Sequence, residues 1–234
     1  MSKQPLRTRK IIENYVTDKR YFSLRNWLKE GSIFGFDFIF EDLPKKLLPF
    51  DFVTYYQYPG ILQVGVTDLR TGKAAWFGKE AIGRSFTPVR ASSSMPFLAP
   101  VVHMGGRDLL DGALVAPIPY EKALQAGYDK LVVVLTRNAG YRKKKSVPKL
   151  LLKTVYHEYP KLWDIMQQRP ALYNEQLEAV EEMERQGKAV IIRPQIPLEI
   201  DKLDIKPDKL LALHDHGIGC GLEACEKILR LAKE

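Results

Sequence analysis

Between Arg90 and Ala113 the chain reads Arg-Ala-Ser-Ser-Ser-Met-Pro-Phe-Leu-Ala-Pro-Val-Val-His-Met-Gly-Gly-Arg-Asp-Leu-Leu-Asp-Gly-Ala, its densest run of turn and strand signals. A serine cluster and Met95-Pro96 close one segment, and an apolar run through Val101-Val102 follows. Gly105-Gly106 is a two-residue hairpin signal, because both residues of the tight turn that suits twisted strands need positive φ. The returning run Leu109-Leu110 ends on Asp111-Gly112. The pattern predicts a buried hairpin with a carboxylate at its end. Asp and Gly also pair in ordinary turns, so Asp111 is either a turn residue or, if burial disfavours its charged form, a general base.

The flanking segments predict an α/β fold. Ile61–Thr67 alternates and is β-branched, Asp68–Gly72 supplies turn chemistry and Lys73–Phe77 returns, a second hairpin. Ile118–Ala126 starts beside Pro119 and stops at Gly127, as a helix does. Leu131–Leu135 is five consecutive apolar residues, which predicts a strand covered on both faces and paired in parallel. Residues 1–30 carry apolar positions at loose helical spacing, among them Leu24 and Trp27-Leu28. Phe36–Phe40 is an aromatic segment that suits either the core or an acyl-chain surface. The basic stretch 139–148 marks a boundary between a domain of residues 1–140 and a smaller one of residues 147–234. Beyond it, helices are expected over Pro160–Met166 and Glu175–Gln186, a strand over Ala189–Ile192, and a last helix whose inner face holds Leu222, Cys225, Ile228, Leu229 and Ala232. That placement makes Cys220 and Cys225 structural.

Charge decides which partners suit such a fold. Lys plus Arg is 36 against 28 Asp plus Glu, a net charge of +8, which attracts anionic partners such as phospholipid headgroups. No apolar leader or membrane-length run stands in the sequence, and the expected location is cytoplasmic, peripheral to an anionic membrane surface. The set His214, His216, Cys220 and Cys225 lacks zinc-finger spacing and reads as a helix end and turn. His103 and His157 stand alone and read as packed or surface residues. Ser92, Ser93 and Ser94 read as helix-terminal hydrogen-bonding groups rather than nucleophiles. Gly83–Thr87 lacks the second small residue of a serine elbow. Arg142–Lys145 reads as a solvated linker, and no signature of nucleic-acid binding accompanies it.

Seven pieces of the sequence, in order, resemble the patatin-like phospholipase family and its bacterial branch: Thr17–Arg25, Gly31–Gly35, Val66–Gly72, Arg90–Phe97, Leu110–Ala113, Pro117–Pro119 and Leu135–Asn138. The resemblance spans essentially the whole chain, with residues beyond 147 similar to the small C-terminal domain of that branch. It implies a three-layer α/β fold and lipid acyl hydrolysis by a Ser-Asp dyad, without metal or organic cofactor. Asp111 would be the dyad base within the motif Asp111, Gly112, Ala113, with Gly112 allowing the tight turn that presents it. The family's glycine-rich loop and G-x-S-x-G elbow have no counterpart in this sequence. The expectation is an N-terminally truncated fold, inactive alone, completed by a complementing fragment or covered by dimerisation. Its substrate would be a phospholipid or another acyl ester. A non-catalytic protein that binds anionic membrane is the competing expectation.

Overall fold

Four short antiparallel strands carry the Arg90–Ala113 stretch, in a computed structural model that describes residues 3–83, 85–144, 147–198, 200 and 203–233. They are β1 (Gln63–Asp68), β2 (Lys73–Gly78), β3 (Val102–Met104) and β4 (Arg107–Asp111), in the order β2-β1-β4-β3. Both predicted hairpins form. Gly105 and Gly106 take φ of +58° and +72°, the left-handed pair that a two-residue turn between Met104 and Arg107 requires. In the other turn Asp68 Oδ1 accepts hydrogen bonds from the Arg70 and Thr71 amides, which fixes the register of β1 on β2.

Alternation along β4 decides the layers. Leu109 faces Val66, Ala75, Ala91 and Val102 beneath α5 (Thr87–Ser92), whereas Leu110 faces Leu69, Leu114, Leu152, Leu162 and Met166. Before the sheet come α1 (Arg7–Tyr15), α2 (Leu24–Glu30), a π-helix over Phe38–Leu47 and α3 (Phe52–Gln57); α4 (Lys79–Ile82) leads from β2 towards α5. Ahead of the second strand pair stands α6 (Tyr120–Gln125), as the Pro119 and Gly127 signals predict.

The far face of the sheet is covered by α7 (Lys149–Val155) and α8 (Pro160–Arg185). The two helices expected over Pro160–Met166 and Glu175–Gln186 are one helix of 26 residues with Pro170 inside it. Proline removes one internal hydrogen bond, but both flanks are anchored: Leu162 and Met166 under the sheet, Leu177 and Val180 against Ile118 and Leu135. The core around Leu110 therefore joins residues from both sides of the stretch 139–148.

The strand β5 (Leu131–Val134) pairs in parallel with β6 (Ala189–Ile192), as expected. The chain ends in α9 (Pro207–Glu223) and α10 (Cys225–Leu231). The strand β5 is not covered on both faces: Val132 and Val134 are 46% and 70% exposed, because α8 backs one face of the pair and α10 covers the other only over Val190 of β6. The inner stripe at the C-terminus is Ala224, Ile228 and Leu231 against Val190, not the set that includes Leu222, Cys225 and Leu229. Leu222 and Leu229 are exposed, and so is Cys225, which is therefore not a packed structural thiol. Both stripes have helical period; β6 selects one of them. His214 and His216 lie within α9 rather than at a helix end.

About half of the described residues are helical, and the class is mixed α/β with a small antiparallel sheet and one parallel strand pair.

Candidate functional site around Asp111

Asp111 closes β4 and opens a 3-10 turn over Gly112–Leu114. Its backbone is held from three sides. The Asp111 amide donates to Ser94 O (2.9 Å), Thr67 Oγ1 donates to Asp111 O (2.8 Å), and Asp111 pairs with Val66 across β1. Its side chain is oriented as well, since Oδ1 accepts the Ala113 amide at 2.8 Å, an N-cap bond. A half-buried carboxylate thus stands at a defined place at the end of a rigid strand.

Gly112 is glycine for closeness rather than for turn conformation. A Cβ there would lie 2.3 Å from Gly65 O and 2.6 Å from its carbonyl carbon, both backbone atoms of β1. Gly65 in turn lies under the Trp76 ring, where a Cβ would meet the indole at 2.7 Å. The turn that presents Asp111 therefore sits directly against β1, and no larger residue fits between them.

Two cavities meet at Asp111. One, of about 140 Å³, is lined by Met95, Phe97, Leu98, Leu114, Met166 and Arg169. The other, of about 210 Å³, runs past Gly65, Trp76, Ser92 and Gly112. Arg169, on α8, donates from Nε to Ala113 O at 2.9 Å and so ties the motif to the helix beneath it. Phe97 adopts a φ of +68°, costly for a large side chain, on the order of 1–3 kcal/mol. Tyr156 meets that cost: its hydroxyl accepts the Phe97 amide at 2.8 Å and its ring stacks edge-on with centroids 5.3 Å apart. Burial pushes the Tyr156 hydroxyl above its ordinary pKa, offset by that bond. Nothing near Asp111 in sequence announces Arg169 or Tyr156, which reach the site from far downstream.

Behind the motif, Asp108 is buried between the Arg70 guanidinium and His103, each 2.7 Å away. Burial alone would raise the Asp108 carboxyl, but the hydrogen bonds from Arg70 and His103 outweigh it and hold the group below the ordinary aspartate value. This lock pins β3 and β4 to the turn after β1.

Ser93 and Ser94 behave as expected, while Ser92 lines the cavity beside Asp111. Ser93 Oγ and Ser94 Oγ donate to Val89 O and Arg90 O, closing α5. In Gly83–Thr87, Ser85 pairs with the Thr87 hydroxyl, and Arg84 lies outside the described residues. His103 is bound to Asp108 at the sheet surface. His214 pairs with Asp215, and His216 Nε2 is 3.6 Å from Cys220 Sγ one turn away. Among the described residues no group of three or more His, Cys, Asp or Glu is placed to hold a metal ion.

One expectation about surfaces changes, and one alternative is decided. The stretch around Arg142 is strapped to α8 rather than solvated: Arg142 pairs with Glu181 at 3.0 Å, and the Lys143 backbone exchanges two hydrogen bonds with the Asn174 amide. Lys145 lies outside the described residues. Phe36 and Phe38 are each 3% exposed, so the aromatic segment Phe36–Phe40 is core and not an acyl-chain face. No described helix is long and apolar enough to cross a membrane.

Residues 159–233, from the start of α8 through α10, match the family model described as Domain of unknown function (DUF6363). None of the curated proteins matches the chain.

Proposed function

We propose that this chain carries the base half of a Ser-Asp lipid acyl hydrolase of the patatin-like type, with its sheet and helices forming part of that family's three-layer α/β fold. The observation that supports this reading most is the placement of Asp111. A carboxylate at a strand end, oriented by the Ala113 amide and flanked by an apolar cavity, suits proton transfer to and from a hydroxyl beside an acyl chain. The nucleophilic serine is supplied by a segment outside this sequence. It attacks the ester carbonyl while Asp111 takes its proton. The tetrahedral oxyanion collapses, and Asp111 returns the proton to the departing alcohol. Water then repeats the sequence on the acyl-enzyme. Neither metal nor organic cofactor enters these steps.

The test uses a fluorophosphonate probe and p-nitrophenyl butyrate, with the chain alone and with a complementing segment that bears a G-x-S-x-G turn. The chain alone is expected to show neither labelling nor turnover. The complemented protein is expected to show both, and Asp111→Asn to lower turnover by about 10²–10⁴-fold, the usual contribution of a general base. Turnover that survives Asp111→Asn unchanged overturns the reading.

A further inference from the structure

The helix α2 is built inside out. Its one buried residue is a polar one, Asn26, whose Nδ2 donates to Arg20 O (3.1 Å) and Ile33 O (3.5 Å). Its three large apolar residues point the other way: Leu24, Trp27 and Leu28 are 76%, 45% and 88% exposed. Positions i, i+3 and i+4 share one helix face, so these side chains form a single ridge. The helix is not frayed. Ser23 caps its start by accepting the Asn26 amide, and Gly31 caps its end in the left-handed region with its amide on Trp27 O. Backbone packs closely beneath it, since a Cβ on Gly35 would lie 1.8 Å from Arg20 O.

Charge around the ridge is net positive. Arg25 and Lys29 are exposed on the same helix, and Lys19 is exposed just before it. The acidic groups nearby are engaged: Asp18 with Arg20 at 2.7 Å, Asp37 with Arg90 at 2.9 Å, and Glu30 with the Asp37 amide at 3.2 Å.

We propose that α2 is an interfacial foot, which inserts Leu24, Trp27 and Leu28 among the acyl chains of an anionic bilayer while Arg25 and Lys29 contact its headgroups. An indole flanked by leucines suits the headgroup boundary. A single helix that lies in the interface, apolar side down and cations beside it, is the geometry of peripheral anchors. Three side chains cover far less than the roughly 800 Å² per partner of a stable protein interface, and such interfaces deplete charge at their centre. A lipid surface needs neither. The inference stands without the hydrolase reading, because it uses no residue of the Asp111 site.

The test is co-sedimentation of the full chain with phosphatidylcholine vesicles that contain or lack phosphatidylglycerol. Binding is expected only with phosphatidylglycerol and to weaken with salt. Leu24→Ser with Leu28→Ser should lower partitioning about tenfold or more, from lost apolar burial. Arg25→Glu with Lys29→Glu should remove the preference for phosphatidylglycerol. Quenching by brominated lipid should reach the wild-type emission and disappear in Trp27→Phe. All substituted side chains are exposed, so unchanged thermal melting separates lost binding from lost folding. Asp111→Asn should bind vesicles like wild type, which keeps this result distinct from the catalytic one. No vesicle binding by wild type, or equal binding by the leucine double variant, overturns the proposal. Self-association that the leucine changes abolish, without vesicle binding, overturns it in favour of a protein contact.

Discussion

β4 and β5 are both short apolar strands, yet their surroundings differ. On β4, Leu109 and Leu110 point to opposite faces and neither is exposed, because α5 covers one side and α7 with α8 the other. On β5 the alternation is equally regular, but Val132 and Val134 look outward on a face that α10 covers only over β6. An apolar run states only that a strand can be buried; the number of layers around it determines how much of it is. Rigidity follows the layers. The carboxylate proposed as base stands on the doubly covered strand, where its backbone and side chain are both hydrogen-bonded.

The largest expected difference between the two strands is in packing. Leu110→Ala should cost about 2–5 kcal/mol in urea unfolding, the range for an alanine cavity in a closed core. A loss below about 1 kcal/mol would mean that α8 does not close the far face of the sheet.

Next comes the Asp108 lock on the β4 side. Its carboxyl titrates below the ordinary value in the folded protein, so the stability it contributes is complete above the unfolded aspartate pKa and is lost as pH falls through the depressed one. Asp108→Asn should flatten that acid limb of the stability–pH curve and lower stability near neutrality by about 1–3 kcal/mol, since a charge-assisted pair is broken. An acid limb of unchanged slope in the variant would dismiss the lock.

The smallest effect is expected at the open face. Val134→Thr, which keeps the β-branched shape, should change unfolding free energy by less than about 0.5 kcal/mol. A larger loss would show that the outer face of β5 is covered in solution.

Much of the Asp111 motif was legible beforehand. Gly105-Gly106, Asp68–Gly72 and the alternation along β1 and β4 all act through residues a few positions apart, so each hairpin could be read locally. The same holds for the serines that close α5. Arg169 and Tyr156, which brace the motif, could not be found that way, because their partners Ala113 and Phe97 lie in another part of the chain. The two helices expected over Pro160–Met166 and Glu175–Gln186 err in the opposite sense: they are one helix, in which the local helix-breaker Pro170 is overridden by packing on both sides of it.

By itself the order of amino acids established the strands, the turns between them and the place of Asp111 at a strand end, since backbone preference and side-chain period are short-range properties. Tertiary structure alone decided direction: that Leu24, Trp27 and Leu28 look out while Phe36 and Phe38 look in, that Cys225 is exposed, and that β5 is open on one face. A periodic stripe defines a face but carries no sign. The sign is set by which distant elements arrive to exclude water from it.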